Sequence, residues 1–159
     1  MRKWIAIAAG LAVLAVANFS IHGRERLLTE GRVVYLELAP VDPRSLMQGD
    51  YMALRFRVAD AAFPGRPEGA ANGYLVLRTD PRGVATFARI DDGTSLGQNE
   101  FRMRYRVRNS IVKFGTNAFF FQEGHASRFA GAQYGEFRVD EAGETILTHL
   151  RGRDLELLR

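Results

Sequence analysis

The sequence predicts a mainly β protein, an antiparallel sandwich or a partly open barrel of about eight strands, preceded by one N-terminal transmembrane helix. Three observations lead to this prediction. Residues 4–21 contain no charged side chain. After Gly31 the apolar residues recur with a period of two, which is typical of a strand with one buried face. Short strand-like segments then alternate with turn-forming residues, and little of this part of the chain has helical periodicity.

The N-terminal segment combines two basic residues, Arg2 and Lys3, with the uncharged stretch. This stretch is close to the minimum length for a membrane-spanning helix, about 18 residues. Ala15-Val16-Ala17 has the small-x-small form of a secretory cleavage site, so a signal peptide removed after Ala17 is the alternative. Because the apolar residues continue past that site to Ile21, we favour an uncleaved signal anchor. Both alternatives keep the basic residues in the cytoplasm and export the remainder of the chain.

We therefore divide the chain into a signal anchor (residues 1–21), a juxtamembrane linker (22–30) and an exported β-domain (31–159). The linker, HGRERLLTE, is predicted to extend the helix, and Gly31 is a plausible stop for it. A domain of roughly 130 residues is large enough to bury one hydrophobic core.

The β-domain is organised around two predicted strands and the turn between them. The first predicted strand covers residues 31–38, and Asp42-Pro43-Arg44-Ser45 predicts a turn. The second covers residues 51–58 and is expected to be half-buried and antiparallel. Residues 59–73 predict a long loop with a short helical start. Further strands are predicted at residues 75–78, 84–90, 100–107, 111–114, 118–121, 134–139 and 145–150, and a short helix at 126–132.

Composition limits the possible partners and cofactors. The formal net charge is +4, and apart from Lys3 and Lys113 the basic residues are arginines. These charges are scattered along the predicted strands without a basic run or a nucleic-acid-binding motif, so we expect no nucleic-acid partner. The absence of cysteine excludes disulfides, thiol nucleophiles and cysteine-ligated metals. No phosphate-binding or metalloprotease motif is present, and we predict neither a cofactor nor a metal site.

One predicted strand has an unusual arginine face. Four apolar residues alternate with four arginines from Phe101 to Arg108. The arginines are interpreted as a solvated outer face of the sheet. The functional alternative is a docking surface for an acidic partner or for lipid headgroups near the membrane.

Three groups of residues are candidates for chemistry. In Gly49-Asp50-Tyr51, glycine permits unusual backbone angles and the carboxylate accepts hydrogen bonds from nearby amides, which predicts a corner between strands. The alternative is that Asp50 is an exposed carboxylate in a cleft.

The second candidate is Glu123 and His125, which have the chemistry of an acid-base pair or of metal ligands, but we favour a solvent-exposed helix start.

The third candidate is a serine-lysine dyad of Ser45 and Lys113, similar to that of membrane-anchored signal peptidases. Those enzymes also join an N-terminal anchor to an exported β-rich domain. A buried lysine with a lowered pKa would act as the base. The Ser-Met-x-Pro pattern of those enzymes is absent here, and a serine in a tight turn commonly caps the backbone.

Gly49, Asp50, Tyr51 and Leu54 resemble the signature of the bacterial GDYXXLXY family, whose function is unknown. Phe56 stands where the signature has Tyr. The similarity includes the apolar N-terminus, the segment Leu-Ala-Pro-Val-Asp-Pro-Arg at residues 38–44, and the Glu-Gly at residues 123–124. The resemblance implies a single-pass protein of the bacterial inner membrane with its C-terminal domain in the periplasm. It also implies an accessory role beside a multi-spanning membrane protein.

We therefore expect an interaction domain rather than an enzyme. The alternative is a membrane-anchored hydrolase or peptidase that uses the serine-lysine pair or a carboxylate. The residues expected to form the interaction site are Gly49, Asp50, Tyr51, Leu54, Glu123 and His125.

Overall fold

The computed structural model describes residues 2–39, 47–48, 51–65 and 71–159. The described helices are α1 (Arg2–Glu30) and α2 (Arg57–Ala62), with a 3-10 helix at Ala126–Phe129. The described strands are β1 (Arg32–Glu37), β2 (Met47–Gln48), β3 (Tyr51–Ala53), β4 (Gly73–Thr79), β5 (Val84–Ile90), β6 (Glu100–Arg108), β7 (Ile111–Lys113), β8 (Ala118–Phe120), β9 (Tyr134–Val139) and β10 (Thr145–Arg151). The predicted turn at residues 42–45, with Ser45, and the signature residues Gly49 and Asp50 lie outside the described residues.

The protein is mainly β, as predicted, with a curled seven-strand sheet and a separate three-strand sheet. The strand order is β10-β9-β1-β5-β4-β6-β7 in the large sheet and β2-β3-β8 in the small one. The prediction of an antiparallel sheet is wrong at one pair, because β1 and β5 are parallel, with Tyr35 opposite Val84. The chain between these two strands is long enough to return in the same direction, which parallel pairing requires.

The curl of the large sheet brings the turn between β9 and β10 against the edge of β6. The backbone N–H of Arg104 donates a hydrogen bond to the carbonyl of Gly143 at 2.8 Å, and the Arg104 side chain forms a salt bridge with Glu144. Gly143 has a φ of +80°, and a Cβ there would lie 3.1 Å from the carbonyl oxygen of Arg102. Glycine is therefore needed for this close approach.

The hydrophobic core lies between the two sheets and is centred on aromatic side chains. Phe56 is only 1% exposed. Its ring packs edge-on against Phe114 and Phe137, with centroid distances of 6.0 and 5.3 Å. The largest fully buried side chains are Phe56, Phe114, Phe137, Leu36, Leu75, Leu77, Met103, Leu150, Val34 and Val76.

The second predicted strand forms a regular strand up to Ala53 and an isolated antiparallel bridge from Phe56 to Leu38, and the prediction is wrong from Arg57 onward. Burial alternates from residue 51 to 58 as predicted, but the backbone becomes helical at Arg57. The first helical bond is donated by Ala59 N–H to the carbonyl of Phe56 at 2.9 Å. The alanines of this segment are strong helix formers, and Val58 still reaches the core from the helix. The predicted short helical start of the following loop is thus α2, which begins two residues earlier than expected.

The predicted helical extension of the N-terminal segment is confirmed, since α1 continues to Glu30. Leu27 is the buried residue of its last turns. Gly31 N–H donates to the Leu27 carbonyl at 3.1 Å, and the Arg138 guanidinium donates to the Gly31 carbonyl at 3.0 Å. A Cβ at residue 31 would lie 2.3 Å from the Leu27 carbonyl oxygen, so only glycine fits this junction.

The N-terminal half of α1 has exposed apolar side chains, including Trp4 at 74% and Phe19 at 82% exposure. Among the helical residues available in the structure, no stretch combines the length and the apolar character needed to cross a membrane.

Candidate functional site

A groove of about 700 Å³ lies beside the signature strand. Its walls are formed by β3, by α2, by β7 and by the loop that joins β7 to β8. Its lining includes Tyr51, Phe63, Ile111, Lys113 and Asn117. A cleft of this size and mixed lining is suited to bind a small molecule or a segment of another protein.

The signature residues have two different positions at this groove. Tyr51 is half-buried and lines the groove. Leu54 also borders it, but its side chain is only 3% exposed and belongs to the core, as does that of Phe56. A tyrosine hydroxyl at position 56 would need a polar partner among the rings of Phe114 and Phe137, so phenylalanine suits this buried position. The second half of the signature therefore holds the wall of the groove in place.

The loop between β7 and β8 is fixed by one asparagine. Asn117 donates from Nδ2 to the Val112 carbonyl at 2.8 Å, and its Oδ1 accepts from the Phe114 N–H at 3.2 Å. Its backbone carbonyl accepts from the Leu54 N–H at 2.7 Å. The segment after β3 and the opposite wall are thus held together by hydrogen bonds to a single residue.

An exposed aromatic side chain, Phe120, lies next to the groove residue Tyr51. Phe120 is 73% exposed. It lies opposite Tyr51 in the β3–β8 pair, with the two ring centroids 5.9 Å apart. Its neighbours Phe119 and Phe121 instead pack against Phe129, at centroid distances of 5.1 and 5.5 Å. Phe120 therefore adds little to the core and is available to a partner.

The serine-lysine alternative requires a buried lysine next to Ser45. Lys113 is exposed at β7. Its proposed partner Ser45, and the carboxylate of Asp50, are outside the residues that the structure describes. Arg55 and Asp60, which also line the groove, form a salt bridge with each other at 2.7 Å.

Glu123 and His125 lie after β8 and do not line the groove. Glu123 is exposed, and His125 is half-buried at the start of the 3-10 helix. The His125 carbonyl accepts a hydrogen bond from the Arg128 N–H at 3.0 Å, whereas its side chain makes no capping hydrogen bond. The structure thus brings Tyr51 and Leu54 together, but not with Glu123 or His125.

A polar cluster that sequence reasoning missed lies on β9 and β10. The buried Glu136 accepts hydrogen bonds from Arg151 Nε at 2.6 Å and from Thr148 Oγ1 at 3.1 Å, and His149 Nδ1 is 3.3 Å from its carboxylate. Burial raises the pKa of Glu136, but the hydrogen bond and charge of Arg151, with the hydrogen bonds of Thr148 and His149, outweigh it and lower the pKa overall. This carboxylate is therefore held ionised by its partners and joins the two strands.

A family model described as GDYXXLXY protein matches residues 13–150 of the chain. The matched segment extends from the middle of α1 almost to the end of β10, and it includes the groove. No curated protein and no solved structure matches the chain.

Proposed function

The chain belongs to the GDYXXLXY family, and we propose that it is a membrane-anchored accessory domain. In this proposal α1 is an uncleaved, single-pass signal anchor in the bacterial inner membrane. The β-domain lies in the periplasm, and the groove beside β3 contacts a multi-spanning membrane protein.

The observation that carries the proposal is the exposed apolar half of α1. Eight of its large apolar side chains are exposed: Trp4, Ile7, Leu11, Val13, Leu14, Val16, Phe19 and Ile21. They point in all directions around the helix, which is typical of a helix surrounded by an apolar medium. In the sequence the uncharged stretch also contains Ile5, Ala6 and Ala8, whose side chains lie outside the described set. A membrane would remove this large apolar surface from water.

The charge distribution supports the orientation. Arg2 and Lys3 precede the apolar stretch, and basic residues at the start of an anchor are retained in the cytoplasm. The β-domain then follows on the periplasmic side. The exposed Phe120, whose ring lies beside that of the groove residue Tyr51, supports a contact site at this end of the groove, because aromatic side chains often supply much of the binding energy of an interface.

Replacing Leu14 and Val16 by arginine is expected to remove the protein from the membrane fraction. Each arginine near the centre of a spanning helix disfavours insertion by about 2.5–3.5 kcal/mol. The measurement is alkaline carbonate extraction of membranes that contain the full chain with a C-terminal tag. The wild type should stay in the pellet and the double variant should not.

The matched control is Leu28→Arg, on the same helix but in the linker, where the side chain is already partly exposed. It should remain in the pellet. Extraction of the wild-type chain by carbonate would contradict the anchor.

Phe120→Ala is expected to weaken the binding of a multi-spanning partner about 30-fold, because an aromatic hot spot contributes roughly 2 kcal/mol or more. The measurement is a pull-down from mildly solubilised membranes through the C-terminal tag, with chemical crosslinking in parallel. A multi-spanning protein should be recovered with the wild type and largely lost with the variant.

Ile90→Ala serves as the control, since Ile90 is another exposed apolar side chain, on β5 and away from the groove. Asp50→Ala, tested alongside, reports on the signature carboxylate. The surface formed by Phe120 beside Tyr51 is excluded as the contact site if Phe120→Ala and Ile90→Ala recover the same amount of partner. Failure to retain any multi-spanning protein with the wild type, in several detergents and after crosslinking, would contradict the accessory function.

A further inference from the structure

Two of the four arginines on the arginine face of β6 form salt bridges with described residues, and the other two do not. Arg102 forms a salt bridge with Asp91 at 2.8 Å, and Arg104 forms one with Glu144. Farther along, Arg106 and Arg108 are exposed. Among the residues that the structure describes, no acidic side chain forms a salt bridge with either of them.

The unpaired arginines face a further cation across the β6–β7 hairpin. Arg106 is directly opposite Lys113 in the register of the two strands, and Lys113 has no salt bridge to a described residue either. The β-carbons of residues in such a pair are about 5 Å apart, and like charges at this distance destabilise the hairpin. Arg108 lies two residues beyond Arg106 on the same face, roughly 7 Å away. Within the described part of the β-domain, no acidic side chain neutralises this charge.

The hairpin that carries these charges has a well-defined geometry. Its two-residue loop, Asn109 and Ser110, has φ angles of 52° and 55°, as in the turn type that matches the twist of paired strands. The Val107 N–H also donates to the Asn72 side chain at 2.9 Å. The exposed cations are thus held in fixed relative positions.

The position of α1 shows which way the hairpin points. Arg32, two residues after the end of α1, lies over the ring of Phe101 at the start of β6, with its guanidinium carbon 5.1 Å from the ring centroid. Six residues before the end of α1, Arg24 lines a polar pocket together with Arg104 and Arg106. The direction along β6 toward the hairpin is therefore the direction along α1 toward its apolar half.

Element geometry then places the hairpin near the end of the apolar stretch. From Arg24 to Ile21 the helix rises about 4.5 Å, and from Arg106 to Arg108 the strand advances about 7 Å. The polar layer of one membrane leaflet is roughly 5–7 Å thick. With α1 in a membrane, the exposed arginines of the hairpin reach this layer.

We propose that Arg24, Arg106, Arg108 and Lys113 form a lipid-contact surface that binds the phosphates of anionic lipid headgroups on the periplasmic side of the membrane. This proposal rests on the anchor function proposed above. Guanidinium groups bind phosphate bidentately, and a cluster of about four basic residues next to a membrane helix is a pattern that binds anionic lipid.

Energy transfer from the hairpin to the lipid surface tests the proposal on the full chain. The natural sequence has no cysteine, so a single Ile111→Cys substitution on the exposed side of β7 can carry a donor fluorophore. The chain is reconstituted into phosphatidylcholine vesicles, and into vesicles in which phosphatidylglycerol replaces part of that lipid. The acceptor is attached to a trace lipid headgroup. Transfer should be higher in the anionic vesicles and should fall when salt is added.

The double substitution Arg106→Gln and Arg108→Gln is expected to lower the ratio of docked to undocked domain in anionic vesicles about 30-fold. This value follows from the usual contribution of two basic residues near an anionic surface. The matched control is Arg82→Gln with Arg153→Gln, which removes the same charge from exposed positions outside the hairpin. It should leave the transfer unchanged. Because Arg106 faces Lys113, the hairpin variant should unfold at a temperature no lower than the wild type, which separates lost lipid contact from lost folding.

Flotation of the vesicles separates failure of this proposal from failure of the anchor. A chain that floats with neither type of vesicle overturns both proposals. A chain that floats with both but transfers equally in both overturns the lipid-contact surface alone and leaves an acidic protein surface as the alternative occupant. An equal loss of transfer in the hairpin variant and in the control variant would also overturn it, because the effect would then follow net charge rather than position.

Discussion

Replacing Phe56 by alanine is expected to lower the free energy of unfolding of the β-domain by about 3–5 kcal/mol. The ring is almost fully buried, and it contacts Phe114 and Phe137 in the centre of the core. A Cβ at Gly135 would lie 3.0 Å from the Phe56 ring, so the sheet is closely packed against it. The cavity left by alanine cannot collapse without moving β9. Denaturant unfolding followed by circular dichroism measures the effect.

Phe120→Ala is the matched control, because it makes the same substitution at a largely exposed ring. Its free energy of unfolding should stay within about 0.5 kcal/mol of the wild-type value. Equal destabilisation by the two substitutions would contradict the assignment of Phe56 to the core and of Phe120 to a contact surface.

Arg151→Ala is expected to destabilise the β-domain by about 3 kcal/mol near neutral pH, at the low end for a broken buried ion pair. The substitution leaves the carboxylate of Glu136 buried without its cationic partner. Thr148 still donates a hydrogen bond to this carboxylate, and His149 Nδ1 still lies within hydrogen-bond distance of it. Thermal or denaturant unfolding as a function of pH is the measurement. Arg153→Ala, two residues along and exposed, is the control.

The pKa of Glu136 determines the pH range in which Arg151→Ala lowers the stability. In the wild type the pKa of Glu136 is below its ordinary value of 4.5. The stabilisation from the ion pair is therefore complete above pH 4.5 and is lost as the pH falls through the lowered pKa. The difference in stability between wild type and Arg151→Ala should shrink below pH 4.5. A difference that stays constant to low pH would show that Arg151 acts through packing alone.

Local turn chemistry allowed much of the large sheet to be predicted. The segment between the predicted strands at 75–78 and 84–90, Asp80-Pro81-Arg82-Gly83, is typical of a tight turn, and in the structure Asp80 Oδ1 accepts hydrogen bonds from the N–H groups of Arg82 and Val84, at 2.9 and 2.8 Å. The alternation in β6 likewise gave a buried face containing Met103. The parallel pairing of β1 with β5 had no such signal, because it depends on where a long connection returns and not on any local sequence.

The groove was only partly predictable for the same reason. The signature indicated Tyr51 and Leu54, but period-two alternation alone did not separate the strand at Tyr51 from the helix that begins at Arg57. The exposure of Phe120 follows from the pairing of β8 with β3, which turns that ring away from Phe129. The cluster around Glu136 depends on the β9–β10 register and on the irregularity between Leu147 and His149, neither of which is encoded in a short motif.

The unbroken helix α1 has a mechanical consequence for the proposed arrangement. Residues 22–30 continue the apolar helix into the junction at Gly31, and at 1.5 Å per residue they span about 13 Å. A flexible linker of that length would let the β-domain reorient freely. A continuous helix instead makes the anchor and the β-domain move as one rigid unit. A tilt of the anchor would then swing the groove and the hairpin together. A neighbour inside the bilayer that changes this tilt would reorient the groove without touching the β-domain.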